Sequence, residues 1–185
     1  MKHPGASSWY RLTDISARKI DPEVISWLDD QGSLTSRLME FCPNQFSVRV
    51  ISQRWAKPKN DEAKLLNIPY RQTVLLRQVQ LLCGKTVCVY ARSIIPLKTM
   101  HGRHRRLRYL GERPLGAYLF SIPGLRRDRQ QLARIARNDA LFDIATSGSS
   151  QNCEHIWGRR SLFIIDHKPL LVSEFFLPAL FENVK

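Results

Sequence analysis

Residues 156–180, IWGRRSLFIIDHKPLLVSEFFLPAL, decide the fold class of this chain. Two apolar runs flank the polar residues 166–168, and this spacing predicts an antiparallel hairpin. Residues 73–82 and 86–95 repeat the pattern around a Cys-Gly-Lys turn and predict a second hairpin. Residues 46–55 begin with alternating apolar and polar side chains, which predicts a further strand. These segments favour a sheet of antiparallel strands.

Helical patterns occur outside these strands. Asp21 is a candidate N-cap with Pro22 at the first helical position, and residues 33–41 predict a second short helix. Residues 103–120 contain two further helical pieces. Because strands and helices do not alternate regularly, the sequence predicts an α+β fold with an antiparallel sheet.

Three connecting segments have weaker patterns. Residues 126–137 have apolar side chains at helical spacing, which favours a helix, although a strand is also compatible with them. Residues 56–72 predict a loop with one helical turn. Residues 138–155 contain a cluster of Ser and Gly and predict an exposed loop.

The length of 185 residues predicts one domain, residues 1–185, in which residues 1–20 form an N-terminal arm. The sequence has no run of about 18 apolar residues, so we expect no stable insertion into a membrane. The first residues lack the apolar core of a secretory signal peptide, which predicts a cytoplasmic protein. No heptad pattern indicates self-association, so we expect a monomer.

The spacing of cysteines and histidines predicts neither a disulfide framework nor a metal site. None of the four cysteines forms a CxxC pair, and disulfides are uncommon in chains without an export signal. Cys83 and Cys88 lie in apolar segments, where a free cysteine acts as a small apolar side chain. His101 and His104 are three residues apart, but they lie among arginines, which repel a cation.

The positive charge is concentrated in one segment. The formal net charge is +13, and residues 97–137 contain eleven basic and two acidic side chains. Such a segment attracts nucleic acid, an anionic membrane surface or a small anionic substrate. No nucleic-acid-binding motif accompanies it, so we expect no nucleic-acid partner and favour the attraction of an anionic ligand.

Two charged side chains fall on apolar faces of predicted strands. Successive side chains alternate between faces, so Arg77 shares an apolar row with Val79, and Glu174 shares one with Phe176. A charge buried without a partner costs about several kcal/mol. Either the two pair with each other or with nearby backbone, or they line a pocket for a ligand with a carboxylate and a hydroxyl.

Three more arginines in the strands fit several environments. Arg92 fits either a second anion contact or a salt bridge at the edge of the sheet. Arg159 and Arg160 are adjacent and point to opposite faces, so we expect at most one of them to face the core.

The most specific sequence motifs are WGRRS at residues 157–161, KPLL at residues 168–171 and SEFFLPA at residues 173–179. Together they resemble the C-terminal signature of the chorismate pyruvate-lyase family, which makes 4-hydroxybenzoate for ubiquinone. The PLG motif at residues 114–116 also fits this family. The resemblance covers most of the chain.

The resemblance implies a single antiparallel sheet of about six strands, flanked by helices, with an enclosed ligand pocket under helical flaps. It implies that chorismate is cleaved into 4-hydroxybenzoate and pyruvate, the first step that supplies the ubiquinone ring, without a metal or an organic cofactor. Residues 138–155 are longer than the corresponding family segment, which indicates a surface loop insertion.

Carried over residue by residue, the resemblance implies five substrate contacts. Arg77 holds the ring carboxylate and Glu174 lies near the 4-oxygen, so these two are the implied catalytic residues. Leu115 supplies a backbone contact and Leu34 a contact from the early flap. Arg92 is implied in substrate entry or in binding of the pyruvyl carboxylate.

Two positions depart from the family pattern. Leu34 stands where family members often have Met, a substitution that conserves volume. Ala91 stands where they often have Gly, and its methyl group narrows the pocket or alters the backbone before Arg92.

The alternative function is a sensor-type protein of the same fold that binds a small aromatic acid without catalysis. The effector-binding domain of GntR-type transcription regulators shares this general fold. Such a regulator would need a winged helix-turn-helix ahead of the sheet, and we expect the segment before residue 46 to be too short for one. An inactive, degenerate lyase is a further alternative.

Overall fold

A computed structural model describes residues 8–11, 20–149 and 153–182 of the chain. Its centre is one antiparallel sheet with the strand order β1-β2-β3-β6-β5-β4. This confirms the predicted α+β class and the single six-stranded sheet. The strands are β1 (Phe46–Ala56), β2 (Val74–Cys83), β3 (Thr86–Pro96), β4 (Arg126–Ala136), β5 (His155–Ile165) and β6 (Lys168–Phe176).

Short helices cover both faces of the sheet. They are α1 (Pro22–Leu28), α2 (Leu34–Phe41), α3 (Asn60–Leu66), the 3₁₀ helices Leu97–Met100 and Gly102–Tyr109, α4 (Leu115–Phe120), α5 (Ala140–Thr146) and α6 (Ala179–Glu182). The predicted cap of α1 is confirmed, because the Asp21 carboxylate accepts a hydrogen bond from the Glu23 backbone N–H at 2.9 Å. The side chain of Ser33 caps α2 in the same way.

The two faces carry separate apolar layers. The front face, which contains Val79 and Val172, is covered by α1, α2, α4, α6 and the 3₁₀ helices. The back face, which contains Leu76 and Leu171, is covered by α3, and α5 extends this cover toward the far end of the strands. Because both faces are covered, most strand side chains near the centre of the sheet are buried, whichever way they point.

Both predicted hairpins are confirmed. The turn between β5 and β6 places Asp166 and His167 at φ values of 47° and 61°. The turn between β2 and β3 places Gly84 at 61°, a left-handed conformation that glycine adopts without steric cost.

Of the two structures compatible with residues 126–137, the favoured helix is wrong and the strand is confirmed, because these residues form β4. Leu132 is buried toward the front face, whereas Ala133 and Ile135 are buried toward the back face. A strand with apolar side chains on both faces lacks the alternation of a half-buried strand, and its spacing resembles that of a helix.

The prediction of an exposed loop over residues 138–155 is wrong for residues 140–146, which form α5. Asp139 caps this helix by accepting a hydrogen bond from the Leu141 N–H at 2.8 Å. Phe142 and Ala145 are buried against the back face of the sheet. The Ser/Gly cluster begins after this helix, and residues 150–152 lie outside the described part of the chain.

The expectation that Cys83 is a free core cysteine is also wrong, because it forms a disulfide with Cys42. Cys42 follows α2 and Cys83 ends β2. The backbone hydrogen bond from Gly84 N–H to Gln45 O joins the segment after α2 to the end of β2. This contact joins residues 41 positions apart, which cysteine spacing alone does not reveal.

Part of the predicted N-terminal arm is described. Tyr10 forms an isolated backbone bridge with Leu132, and Trp9 packs edge-on against Phe175. Residues 1–7 and 12–19 of this arm lie outside the described residues. Among the described helices, none combines the length and the hydropathy needed to cross a membrane.

Candidate active site

An enclosed cavity lies on the front face, between the sheet and the first turns of α2 and α4. It comprises about 580 Å³ of space, including the solvent at its opening. Its lining is mostly apolar, and its charged groups are Arg77, Arg127 and Glu174. A larger and more open groove near α1 and α6, with about 1350 Å³ by the same measure, contains none of these three residues.

Arg77 is the most buried cation of the cavity, with 1% of its surface exposed. Its Nη1 donates to Gln53 Oε1 and its Nη2 to the Arg113 carbonyl oxygen, each at 3.2 Å. Both acceptors are neutral, and burial lowers the pKa of the Arg77 guanidinium from its ordinary value. A buried cation held by neutral oxygens is a favourable site for a ligand carboxylate.

Glu174 lies on β6 and is paired with an arginine of β5. Its Oε2 accepts a hydrogen bond from Arg159 Nε at 2.7 Å. Arg159 is fully buried and also donates to the carbonyl oxygens of Trp27 and Asp30, both at 2.9 Å. The partner of Glu174 is therefore Arg159, and Arg77 has other partners, so the two predicted site residues do not pair with each other.

The structure assigns both adjacent arginines of the WGRRS motif to the interior. Arg160 is buried on the back face, where its Nη1 donates to Asp61 Oδ2 at 2.6 Å. The expectation that at most one of Arg159 and Arg160 faces the core is wrong, because the sheet is covered on both faces.

Leu34 and Leu115 both line the cavity, each as the first residue of a helix. The two helices meet at Gly116, where an added Cβ would lie 2.6 Å from Thr35 Oγ1. The close approach of α2 to α4 therefore closes the cavity on the side away from the sheet.

Arg92 does not line this cavity. Its Nε and Nη2 donate to the two carboxylate oxygens of Glu62 at 2.7 and 3.0 Å, on the back face. Its neighbours Ala91 and Ser93 point to the cavity instead. The implied substrate contact of Arg92 is thus corrected: the residue forms a buried salt bridge, and it does so in a central strand rather than at the sheet edge.

Two site residues were missed by the sequence analysis. Arg159 shares a strand face with Trp157, and its cross-strand partner is Glu174, but this register is not visible in the sequence. Arg127 lines the cavity beside Phe120 and Phe163. The helical spacing assigned to residues 126–137 concealed the face of Arg127.

Solved structures with a similar fold include several whose names identify them as transcription regulators. The chain superposes on PhnF from Mycobacterium smegmatis with a TM-score of 0.56 and 15% identity, covering 80% of this chain and 64% of that one. A GntR-family regulator from Bacillus cereus gives a TM-score of 0.54 and 12% identity, covering 77% of this chain and 98% of that one. At these identities the similarity concerns the fold alone.

Sequence comparison gives closer relatives. A probable chorismate pyruvate-lyase from Methylococcus capsulatus is 44% identical over 154 residues, which cover 83% of this chain and 94% of that protein. A probable chorismate pyruvate-lyase from an Azoarcus species is 39% identical, covering 97% of this chain and 96% of that protein. The sequence model of the chorismate lyase family matches residues 4–185. On this evidence, the chain belongs to the chorismate lyase family.

Proposed function

We propose that this protein cleaves chorismate into 4-hydroxybenzoate and pyruvate in the cavity between the sheet and helices α2 and α4. The observation that carries the proposal is the placement of Arg77 and Glu174 on one wall of an enclosed apolar cavity, in a member of the chorismate lyase family. In that family the product supplies the ring of ubiquinone. Cytoplasmic location, a monomeric state and the lack of a nucleic-acid partner stay predictions from the sequence.

The reaction requires little chemistry from the protein. The ether bond between C3 of the ring and the enolpyruvyl oxygen breaks, the hydrogen at C4 leaves, and the ring becomes aromatic. The enolpyruvyl group takes up a proton and becomes pyruvate. Because aromatisation provides the driving force, the protein has to bind and orient the substrate and exclude water.

Each polar group of the cavity has a proposed role. The planar fork of Arg77 binds the ring carboxylate, since no carboxylate already neutralises it within the described residues. Glu174 accepts a hydrogen bond from the 4-hydroxyl, and Arg159 holds the Glu174 carboxylate in place. Leu34 contacts the ring from the first turn of α2, and Leu115 supplies a backbone contact from the first turn of α4.

The charge of the whole chain supports a dianionic substrate. The net charge of +13 raises the local concentration of anions around the protein. Arg77 and Arg127 carry this positive potential into the cavity.

The first test is the consumption of chorismate by the purified protein in buffer with EDTA, with products identified by chromatography. We expect 4-hydroxybenzoate and pyruvate in equal amounts. Binding of 4-hydroxybenzoate without turnover would support the sensor-type alternative or an inactive lyase. The absence of both turnover and binding would overturn the proposal.

Two variants then separate the roles of the polar groups. Arg77→Met should lower kcat/KM about 100-fold or more, because a buried charge pair with the substrate is lost. Glu174→Gln retains an oxygen acceptor, so turnover should persist within about tenfold, whereas loss of a required general base costs about 10²–10⁴-fold. Arg54→Met, which removes an exposed arginine from the neighbouring strand β1, is the matched control and should have no effect.

A further inference from the structure

We infer that Arg127 binds the second carboxylate of the substrate, the one on the enolpyruvyl side chain. The inference rests on the proposed function and deepens it, because it assigns a second anion site within the same cavity. The need for such a site follows from the structure: Arg92, the residue implied for this role by resemblance, forms a salt bridge with Glu62 on the opposite face of the sheet.

Arg127 is held at the cavity wall in a defined position. Its strand pairs with β5 so that Arg127 lies opposite Phe163. The guanidinium carbon lies 5.0 Å from the centroid of the Phe163 ring and 5.8 Å from that of Phe120. These two rings support the flat guanidinium on the cavity side by cation–π contacts.

The hydrogen-bond partners of Arg127 are neutral. Its Nη1 donates to the Asp30 carbonyl oxygen at 2.9 Å and to Gln130 Oε1 at 3.1 Å, and its Nη2 donates to the Gly32 carbonyl oxygen at 3.1 Å. Its Nε is buried and has no hydrogen-bond partner among the described residues. An arginine with this set of contacts is positioned by the protein and is not neutralised by it.

The charges around Arg127 favour an additional anion. Burial lowers the pKa of Arg127, and the nearby Arg159 cation lowers it further, while Glu174 and Asp30 act in the opposite direction. Glu174 is already paired with Arg159, and the Asp30 carboxylate faces Arg37 at 3.4 Å. A ligand carboxylate beside Arg127 would therefore relieve the repulsion between the half-buried Arg127 guanidinium and the buried Arg159 guanidinium.

The connectivity of the substrate fits this arrangement. With the C1 carboxylate at Arg77 and the 4-hydroxyl at Glu174, the C3 substituent leaves the ring next to Glu174. Arg159 and Arg127 lie on that side of the cavity, because the strand order places β5 and β4 beyond β6. When the C3–O bond breaks, negative charge develops on the departing enolpyruvate, and a fixed cation beside it stabilises that charge.

The test uses the fact that 4-hydroxybenzoate lacks the enolpyruvyl group. Arg127→Met should lower kcat/KM for chorismate about 30-fold or more, because a charge contact with the substrate is lost. It should leave the Kd of 4-hydroxybenzoate, measured by calorimetric titration, within about threefold of the unmodified protein. Unchanged product binding also shows that the variant is folded.

Three further variants complete the experiment. Arg77→Met should weaken the binding of chorismate and of 4-hydroxybenzoate together, since both molecules carry the ring carboxylate. Arg127→Lys keeps the charge but loses the planar fork of the guanidinium. Its kcat/KM for chorismate should lie between those of the unmodified protein and Arg127→Met, and its Kd for 4-hydroxybenzoate should be unchanged. Arg129→Met removes an exposed arginine from the same strand. It should change neither the kcat/KM for chorismate nor the Kd of 4-hydroxybenzoate.

The two proposals fail in different ways. If Arg127→Met weakens the binding of both ligands equally, or does not weaken the binding of chorismate, the proposed role of Arg127 is overturned. Turnover by the unmodified protein would still support the proposed function. A wild-type protein that does not convert chorismate contradicts the proposed function. In that case the Kd values of chorismate and 4-hydroxybenzoate still decide the inference, since only chorismate binding should depend on Arg127.

Discussion

Charged side chains in the interior of this protein are compensated in two ways. Arg159 and Arg92 are paired with the carboxylates of Glu174 and Glu62, so their burial is balanced within the protein. Arg77 is held by neutral oxygens alone among the described residues. Removal of one partner from either pair would leave a buried charge uncompensated. An incompletely compensated cation is available to a ligand.

The surface carboxylate of Asp166 makes the free energy of unfolding depend on pH under acidic conditions. Asp166 accepts hydrogen bonds from Arg103 Nε at 2.8 Å and from His104 Nε2 at 2.9 Å, which lowers its pKa to about 2. His104 in turn contacts the Tyr118 hydroxyl, so Asp166 links the β5–β6 turn to the cover of the cavity. Because the folded pKa lies below the unfolded pKa, this contribution to stability is present above about pH 4 and is lost toward pH 2.

We therefore expect Asp166→Asn to be less stable than the unmodified protein at pH 7 and to lose less stability between pH 4 and pH 2. Urea midpoints measured across this range check the expectation. Glu112→Gln, at an exposed carboxylate of the same region, is the control and should follow the unmodified protein. Parallel pH profiles for Asp166→Asn and the unmodified protein would contradict it.

At the scale of elements, the cavity depends on the contact between α2 and α4. These helices have eight and six residues, too short to be stable alone, so packing determines their position. Gly116 allows α4 to approach Thr35, whose side chain is β-branched and buried. The first turns of both helices contribute lining residues, so a change in their separation alters the cavity.

Substitution Gly116→Ala tests this contact with an informative sign. In an unconstrained helix, alanine in place of glycine stabilises by about 1 kcal/mol. Here the new Cβ would meet Thr35 Oγ1 at 2.6 Å, so we expect a lower melting temperature and 4-hydroxybenzoate binding weakened about tenfold.

The second substitution Thr35→Ala removes the colliding oxygen and should restore much of both losses in the Gly116→Ala background. Such a rescue is a coupling between neighbours in a double-mutant cycle. If the effects of the two substitutions simply add, the contact does not set the separation of the helices.

For the whole molecule, the strand order determines what the front face can bind. β3 and β6 lie at the centre, so Arg77 on β2 and Glu174 on β6 face the same cavity across β3. The helices that cover this face come from three separate parts of the chain, before β1, between β3 and β4, and after β6. The site therefore exists only when the whole sheet is assembled.

The Cys42–Cys83 disulfide constrains this assembly by closing a loop between α2 and β2. For a sequence separation of 41 residues, loop-closure entropy predicts a stabilisation of about 4 kcal/mol. We expect a reductant, or the substitution Cys42→Ser, to lower the free energy of unfolding by about 2–4 kcal/mol in urea titrations.

Thiol counting gives an independent check of the disulfide. The protein denatured without reductant should show the two thiols of Cys88 and Cys153, and four after reduction. Four thiols before reduction, or a urea midpoint that does not respond to reductant, would contradict the predicted stabilisation.

The sequence by itself determined the two hairpins, the cap of α1 and the faces of Arg77 and Glu174. These features follow from local rules, since side-chain alternation, turn residues and caps act over a few residues. The sequence motifs also indicated the chorismate lyase family, which the family match from residue 4 to 185 confirmed. A helix was favoured over strand β4 because burial on both faces removes the alternation of apolar and polar side chains. Helix α5 was missed because it is short and packs on the sheet through Phe142 and Ala145.

Only the tertiary structure decided which charges are paired and which remain for a ligand. Glu174 meets Arg159 and Arg92 meets Glu62 through strand register and helix placement, over separations of 15 and 30 residues. The disulfide and the exposure of Arg127 to the cavity have the same origin. Such contacts depend on how layers stack and strands align, and these long-range arrangements leave no periodic signal in the sequence.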